Sequence, residues 1–155
     1  MFLCQWKYTL DVIDEGGPLE AKAAKFPIEE NHRLALAAWQ KLGDATTYER
    51  FIGSFIHLTT TGLELTYAVH VLSQFMPSSK EDYTEVARRV SRYLKGGASE
   101  GKFLHAKIDL QLYGYCDSVW GAYPLSKCSL TGYFVTREGS PIFWKTKKQA
   151  STFKS

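Results

Sequence analysis

The 155-residue sequence lacks the features that define several classes of protein. Its three cysteines, Cys4, Cys116 and Cys128, are odd in number and have no Cys-x-x-Cys spacing, so we expect neither a disulfide framework nor a zinc site. No run approaches the roughly 20 apolar residues of a membrane span, and Met1–Trp6 becomes polar too soon for a signal peptide. We therefore expect an intracellular protein of a reducing compartment, cytoplasm or nucleus, with no membrane contact.

Catalytic signatures are also missing. The histidines have no ligand-like spacing, and no Ser/Cys/His triad pattern or glycine-rich phosphate loop is present. The chain contains no adjacent pair of aspartates, the arrangement with which polymerases hold two metal ions. We therefore expect no polymerase active site in this chain.

The composition is that of an ordinary globular protein, with 45% hydrophobic and 23% charged residues and a net charge of +3. The basic residues form two short runs: Arg88, Arg89, Arg92 and Lys95, and then Lys145, Lys147 and Lys148. Such a run is either a solvated face or a polyanion contact, and the charges alone leave both interpretations open.

The first two thirds of the chain have helical periodicity. We predict helices over Gln5–Glu15, from a capping box at Thr46 onward, from about Leu63 to Met76, and from Ser78 to Gly96. A short helix is also predicted at Arg33–Lys41. Met1–Cys4 is apolar, and we expect it to be the end of a strand whose partners lie outside this chain.

After Gly101 the pattern changes to strands. We predict strands at Phe103–Ile108, Gln111–Cys116, Thr131–Thr136 and Ile142–Lys145, the last two joined into a hairpin by Arg137-Glu138-Gly139-Ser140. The predicted fold class is therefore α+β: a small helical bundle followed by a three-stranded antiparallel sheet. The predicted boundary lies near Gly96–Lys102.

One strand pattern carries a candidate metal ligand. Leu112–Trp120 is rich in aromatics and holds a single carboxylate, Asp117, near its end. The nearby acids Asp109 and Glu138 are explained more simply as strand-flanking and turn residues. Asp117 is therefore the candidate catalytic and metal-binding residue.

Seven stretches together resemble the Pol polyprotein of copia-type LTR retrotransposons, in the order and at the spacing of that family. They are Gln5–Leu10, Tyr48–Thr59, Glu64–Met76, Arg88–Gly96, Tyr113–Trp120, Ser129–Phe134 and Ser140–Gln149. The resemblance implies that residues 1–102 are the end of a reverse transcriptase with thumb-like helices. It implies that residues 103–155 are the N-terminal half of a ribonuclease H-like domain.

The resemblance also implies roles for particular residues. Thumb helices of this family grip the primer–template backbone, which makes both basic runs candidate phosphate contacts, Arg88, Arg89, Arg92, Lys95, Lys145, Lys147 and Lys148. Asp117 matches the first ribonuclease H carboxylate, and the intact family uses Mg²⁺.

The chain departs from the family pattern at several positions. Thr61-Gly62-Leu63 stands where the family usually has Thr-Arg-Pro, and Val119 where a second aspartate usually follows Asp117. After Gln149 the sequence has no Ser-x-Glu-Ala-Glu motif to supply the next carboxylate. One carboxylate holds magnesium poorly, because this ion needs several anionic partners.

These observations predict a retrotransposon-derived fragment that is catalytically inactive alone, needs no cofactor and binds RNA–DNA hybrid or duplex weakly. Two alternatives stay open. The first is a protein-interaction module that self-associates through an exposed sheet edge. The second is one piece of an active RNA-directed DNA polymerase and ribonuclease H polyprotein.

Overall fold

A computed structural model describes residues 1–16, 22–29, 45–76, 81–106, 111–119 and 128–149. Its elements, in chain order, are β1 (Phe2–Cys4), α1 (Trp6–Glu15), α2 (Ala45–Leu58), α3 (Leu65–Ser73), α4 (Glu81–Gly96), β2 (Gly101–Phe103), β3 (Leu112–Val119), β4 (Leu130–Arg137) and β5 (Ser140–Lys148). The chain divides into a helical unit, Cys4–Gly101, and a sheet unit, Lys102–Ser155 with Met1–Leu3. Helices followed by an antiparallel sheet confirm the predicted α+β class.

The helical unit is organised around one apolar core. On α2, Tyr48, Ile52 and Phe55 are fully buried, and Leu65 and Leu72 of α3 are nearly so. The Tyr48 hydroxyl donates a hydrogen bond of 2.9 Å to the Leu72 carbonyl, which ties α2 to α3. Burial away from water raises the pKa of this phenol well above its usual range, because the charged form loses its solvation.

Helix α4 packs the face that its periodicity predicts. Tyr83, Ala87, Val90 and Leu94 are buried at helical spacing, and Val86 is partly buried. In its second half this helix closely approaches the end of α1: a Cβ on Gly16 would lie 2.5 Å from the Ser91 Oγ. A glycine at position 16 therefore lets the end of α1 approach α4.

The N-terminal strand has its partner within the chain, so the prediction of an outside partner was wrong. β1 pairs with β2 in a two-stranded sheet. The Met1 carbonyl accepts a hydrogen bond from the Leu104 amide, and the Met1 amino group donates to the Leu104 carbonyl, both at 2.7 Å. The pairing joins residues about 100 positions apart, which no local pattern could indicate.

The main sheet has the order β3-β4-β5 and is antiparallel throughout. β3 pairs with β4 in a continuous register from Leu112↔Arg137 to Val119↔Leu130. β4 and β5 form the predicted hairpin, closed by Glu138 and Gly139 at φ of 47° and 73°. Two positive φ values in a two-residue turn match the right-handed twist of the strands, and glycine takes the second without steric strain.

Several predicted boundaries need correction. Helix α2 already includes Ala45, so Thr46 lies within its first turn rather than at the N-cap. Helix α3 is shorter than the predicted Leu63–Met76. The strand predicted at Phe103–Ile108 is instead Gly101–Phe103, while β3 and β5 extend beyond their predicted ends.

Some predictions lie outside the described residues: the helix at Arg33–Lys41, the N-cap at Ser78 and the strand-flanking role of Asp109. None of the described helices is long and apolar enough to cross a membrane.

Candidate nucleic-acid interface and the Asp117 position

The first basic run lies along the outer face of α4. Arg88, Arg92 and Lys95 follow one another at intervals of four and three residues, which places them on one side of the helix. The Arg88 side chain is 53% exposed, and that of Arg92 is 36% exposed. Arg89 lies beside this row and is more covered, at 29%.

Acidic residues compensate part of this charge. Glu85 pairs with Arg92 at 3.0 Å and with Arg88 at 3.9 Å, and Glu29 pairs with Arg89 at 2.7 Å. Two acids therefore compensate part of the charge of three arginines. Ion pairs between exposed side chains contribute little, roughly 0–1 kcal/mol, so these arginines can exchange a carboxylate for another anion.

The second basic run divides between the two faces of the main sheet. Neighbouring residues of a strand point to opposite faces, so Lys145 and Lys147 share one face and Lys148 lies on the other. The register places Tyr133 opposite Lys145 and Thr131 opposite Lys147. We call this side of the sheet the Lys145 face.

Asp117 lies on the opposite side, which we call the Asp117 face. Its cross-strand neighbour on β4 is Gly132, and Thr146 of β5 lies opposite Gly132 in turn. Tyr115, two residues earlier, opposes Phe134, with ring centroids 6.1 Å apart. Lys145 and Lys147 are therefore on the other side of the sheet from Asp117, whereas Lys148 is on the same side.

The surroundings of Asp117 do not fit a magnesium site. The side chain is exposed, and its Oδ1 accepts a hydrogen bond of 2.8 Å from the Ser118 amide. The residues next to Asp117 across the sheet are Gly132 and then Thr146, and neither supplies the further carboxylates that Mg²⁺ needs. Within the described ranges, no group of three or more histidine, cysteine, aspartate or glutamate side chains is placed to hold a metal ion.

Sequence reasoning missed one feature of the sheet. All eight residues of β3 are exposed, including Leu112, Tyr115 and Val119 at 56–62%. β3 is also an edge of the described sheet and pairs with β4 without a bulge.

Comparison with known proteins finds relatives that match the chain over its whole length. It is 36% identical to the "Retrovirus-related Pol polyprotein from transposon RE2" of Arabidopsis thaliana and 34% identical to that from transposon RE1 of the same plant, over 155 residues in each case. Each match covers the whole chain. An uncharacterized mitochondrial protein of Arabidopsis thaliana matches at 27% over 157 residues, again over the whole chain and over 64% of its own length.

The chain is therefore a piece of a transposon Pol polyprotein. It belongs to the family of retrovirus-related Pol polyproteins of copia-type retrotransposons. It spans 11% of the length of the two transposon polyproteins. No protein-family model and no solved structure matches it.

Proposed function

We propose that this Pol fragment binds the phosphate backbone of RNA–DNA hybrid or duplex without sequence preference, with α4 as the principal contact. The observation that carries the proposal is the basic row on one side of that helix, in which Arg88 is exposed and Arg92 and Lys95 are partly exposed. Neutralising phosphates with basic side chains releases counterions, which is the main source of non-specific binding to nucleic acids.

The proposal also assigns domains by the order of the elements. Four described helices precede an antiparallel three-stranded sheet, which is consistent with a thumb-like end of a reverse transcriptase followed by the first strands of a ribonuclease H-like domain. We propose that Asp117, exposed near the end of the first strand of that sheet, is the counterpart of the first ribonuclease H carboxylate. Because its described neighbours do not complete a metal site, we propose binding and derive no hydrolytic step.

Neutralising the α4 row is expected to weaken binding and reduce its salt dependence. The binding of a hybrid of about 20 base pairs should become less sensitive to salt in Arg88→Gln with Lys95→Gln. The slope of the logarithm of the association constant against the logarithm of the salt concentration should become shallower by about 2, because each lost phosphate contact contributes about 0.9. Fluorescence anisotropy between about 50 and 200 mM salt measures this slope.

A matched control removes the same charge elsewhere. Arg50 on α2 is 60% exposed and pairs with Glu15 at 3.5 Å, much as Arg88 pairs with Glu85. Arg50→Gln with Lys7→Gln should leave the slope close to that of the unmodified chain. An equal loss in the control contradicts the assignment to α4. Magnesium-dependent cleavage of the hybrid that Asp117→Asn abolishes would contradict a binding-only function.

A second candidate function is self-association through the edge of β3. This edge is long, regular and apolar, whereas the other edge, β5, carries Pro141, a bulge and three lysines. Charges, proline and bulges are the devices that keep edge strands from pairing. The β3 edge has neither a proline nor a bulge, and its one charged residue is Asp117.

A lysine on β3 is expected to keep the chain monomeric under this second hypothesis. Val119→Lys places a charge on the β3 edge, and Ile142→Lys is the control on the β5 edge. Val119 and Ile142 are both exposed. Sedimentation velocity over a concentration series should show a dimer for the unmodified chain and the control, and a monomer for Val119→Lys. A monomer in all three excludes edge pairing.

A further inference from the structure

The Lys145 face combines exposed aromatic rings with positive charge. Phe143 is 51% exposed and Tyr133 is 37% exposed. Lys145 lies directly opposite Tyr133 and two residues from Phe143, so one lysine adjoins both rings. Lys147 follows on the same face, and both lysines are exposed.

Within the described strands, no negative charge lies on the same side of the sheet as these lysines. In the register of β3, β4 and β5, the residues that share the Lys145 face include Arg137 and no aspartate or glutamate. Among the described residues, neither Lys145 nor Lys147 forms an ion pair with an acid. Both charges are therefore available to a ligand.

The opposite face has exposed rings on β3, Tyr113 and Tyr115, but it differs in charge and in its other aromatic residues. It carries Asp117, and its aromatic row is more covered on β4 and β5, where Phe134 and Trp144 are only partly exposed. The Lys102 ammonium already lies 4.9 Å from the centre of the Trp144 ring, so a cation of the chain itself occupies that ring. The two faces therefore do not offer the same ligand site.

We infer that the Lys145 face binds single-stranded nucleic acid, with bases stacked on Tyr133 and Phe143 and phosphates held by Lys145 and Lys147. Charge complementarity selects this occupant: a row of positive charges without acids favours a polyanion over an apolar protein segment. Flat aromatic side chains on a sheet stack any base, and lysines beside them neutralise the backbone.

This inference extends the proposed function, because the ligand is again a nucleic acid, but it uses other residues in a different unit of the chain. The α4 row offers charge without aromatic rings and suits a duplex, whose bases are already stacked. The Lys145 face offers positive charge together with aromatic rings, and this combination suits unstacked bases. The two contacts can therefore fail independently.

The test uses the full chain and a fluorescent oligothymidine of about 12 nucleotides. Tyr133→Leu and Phe143→Leu keep an apolar side chain in the strand but remove the ring, and each should weaken binding about tenfold. Lys145→Gln with Lys147→Gln should reduce the salt slope by about 1.4, since a single strand contributes about 0.7 for each contact. Thermal melts by circular dichroism verify that each variant is folded.

Tyr115→Leu is the control, because it removes an exposed ring from the Asp117 face of the same sheet: Tyr115 is 59% exposed, against 37% for Tyr133. It should bind oligothymidine like the unmodified chain. Equal weakening by Tyr115→Leu and Tyr133→Leu overturns the assignment to this face. The inference is also overturned if the unmodified chain binds no oligothymidine at low salt. That result would favour a protein as the ligand of this face.

The α4 variants separate the two proposals. Arg88→Gln with Lys95→Gln should retain oligothymidine binding while it loses affinity for the hybrid. That result supports both contacts. If hybrid binding is unaffected and Tyr133→Leu still weakens oligothymidine binding, the proposed function fails and the inference about the sheet stands.

Discussion

Phe55→Ala should destabilise the helical unit by about 3–5 kcal/mol, the range for deleting a buried phenylalanine side chain. Phe55 is fully buried on α2, and its ring stacks on that of Phe51 at 6.1 Å. A small domain is stable by only about 5–15 kcal/mol, so this one change removes a large share of the total. Urea denaturation followed by far-UV circular dichroism measures the loss.

Ile56→Ala provides the control for this prediction. Ile56 is the next residue on the same helix, but it is 49% exposed and belongs to the solvent side of α2. Ile56→Ala should lower the free energy of unfolding by well under half as much as Phe55→Ala, because removing a half-exposed side chain leaves no cavity. Equal losses for the two variants would show that the core described around Tyr48, Phe55 and Leu72 does not hold the unit together.

Gly16→Ala should destabilise the same unit by about 1–3 kcal/mol, as overpacking does elsewhere. The backbone at Gly16 is helical, with φ of −75°, so alanine fits its conformation. The new Cβ, however, would lie 2.5 Å from the Oγ and 2.6 Å from the Cβ of Ser91. The conflict involves a Cβ fixed to the α4 backbone, which cannot rotate away.

Two further variants make this prediction specific. Ser91→Gly removes the opposing Cβ and should restore much of the stability that Gly16→Ala loses, a coupling that a double-mutant cycle measures. Gly53→Ala makes the same change on α2, where a Cβ would meet nothing within 4 Å. It should stabilise by about 0.5–1 kcal/mol, because glycine is a poor helix residue. Thermal denaturation of the unmodified chain, the three single variants and the double variant gives both comparisons, and a stabilising Gly16→Ala would contradict the close contact.

The elements that could be predicted from sequence are those with a local signal. The apolar spacing of Tyr83, Val90 and Leu94 specifies the buried side of α4, and Glu138-Gly139 specifies the hairpin turn. The pairing of β1 with β2 has no such signal, because it joins two short strands about 100 residues apart in the sequence.

The candidate site was predictable in part for the same reason. Residue types and the family resemblance identify Asp117 and the lysines of β5. Which face of the sheet each occupies depends on the register between strands, and a shift of one residue would reverse it. The ion pair between Arg89 and Glu29 likewise joins segments 60 residues apart, beyond the reach of any helical pattern.

The Glu138–Gly139 turn also bears on the order of folding. It brings β4 and β5 together across a two-residue loop, so their contacts form with little loss of chain entropy, and isolated hairpins form in about 1–10 μs. Strand β3 reaches β4 across a much longer segment, from Val119 to Leu130. We expect mutations in the hairpin to slow folding of the sheet unit, whereas mutations in β3 accelerate its unfolding.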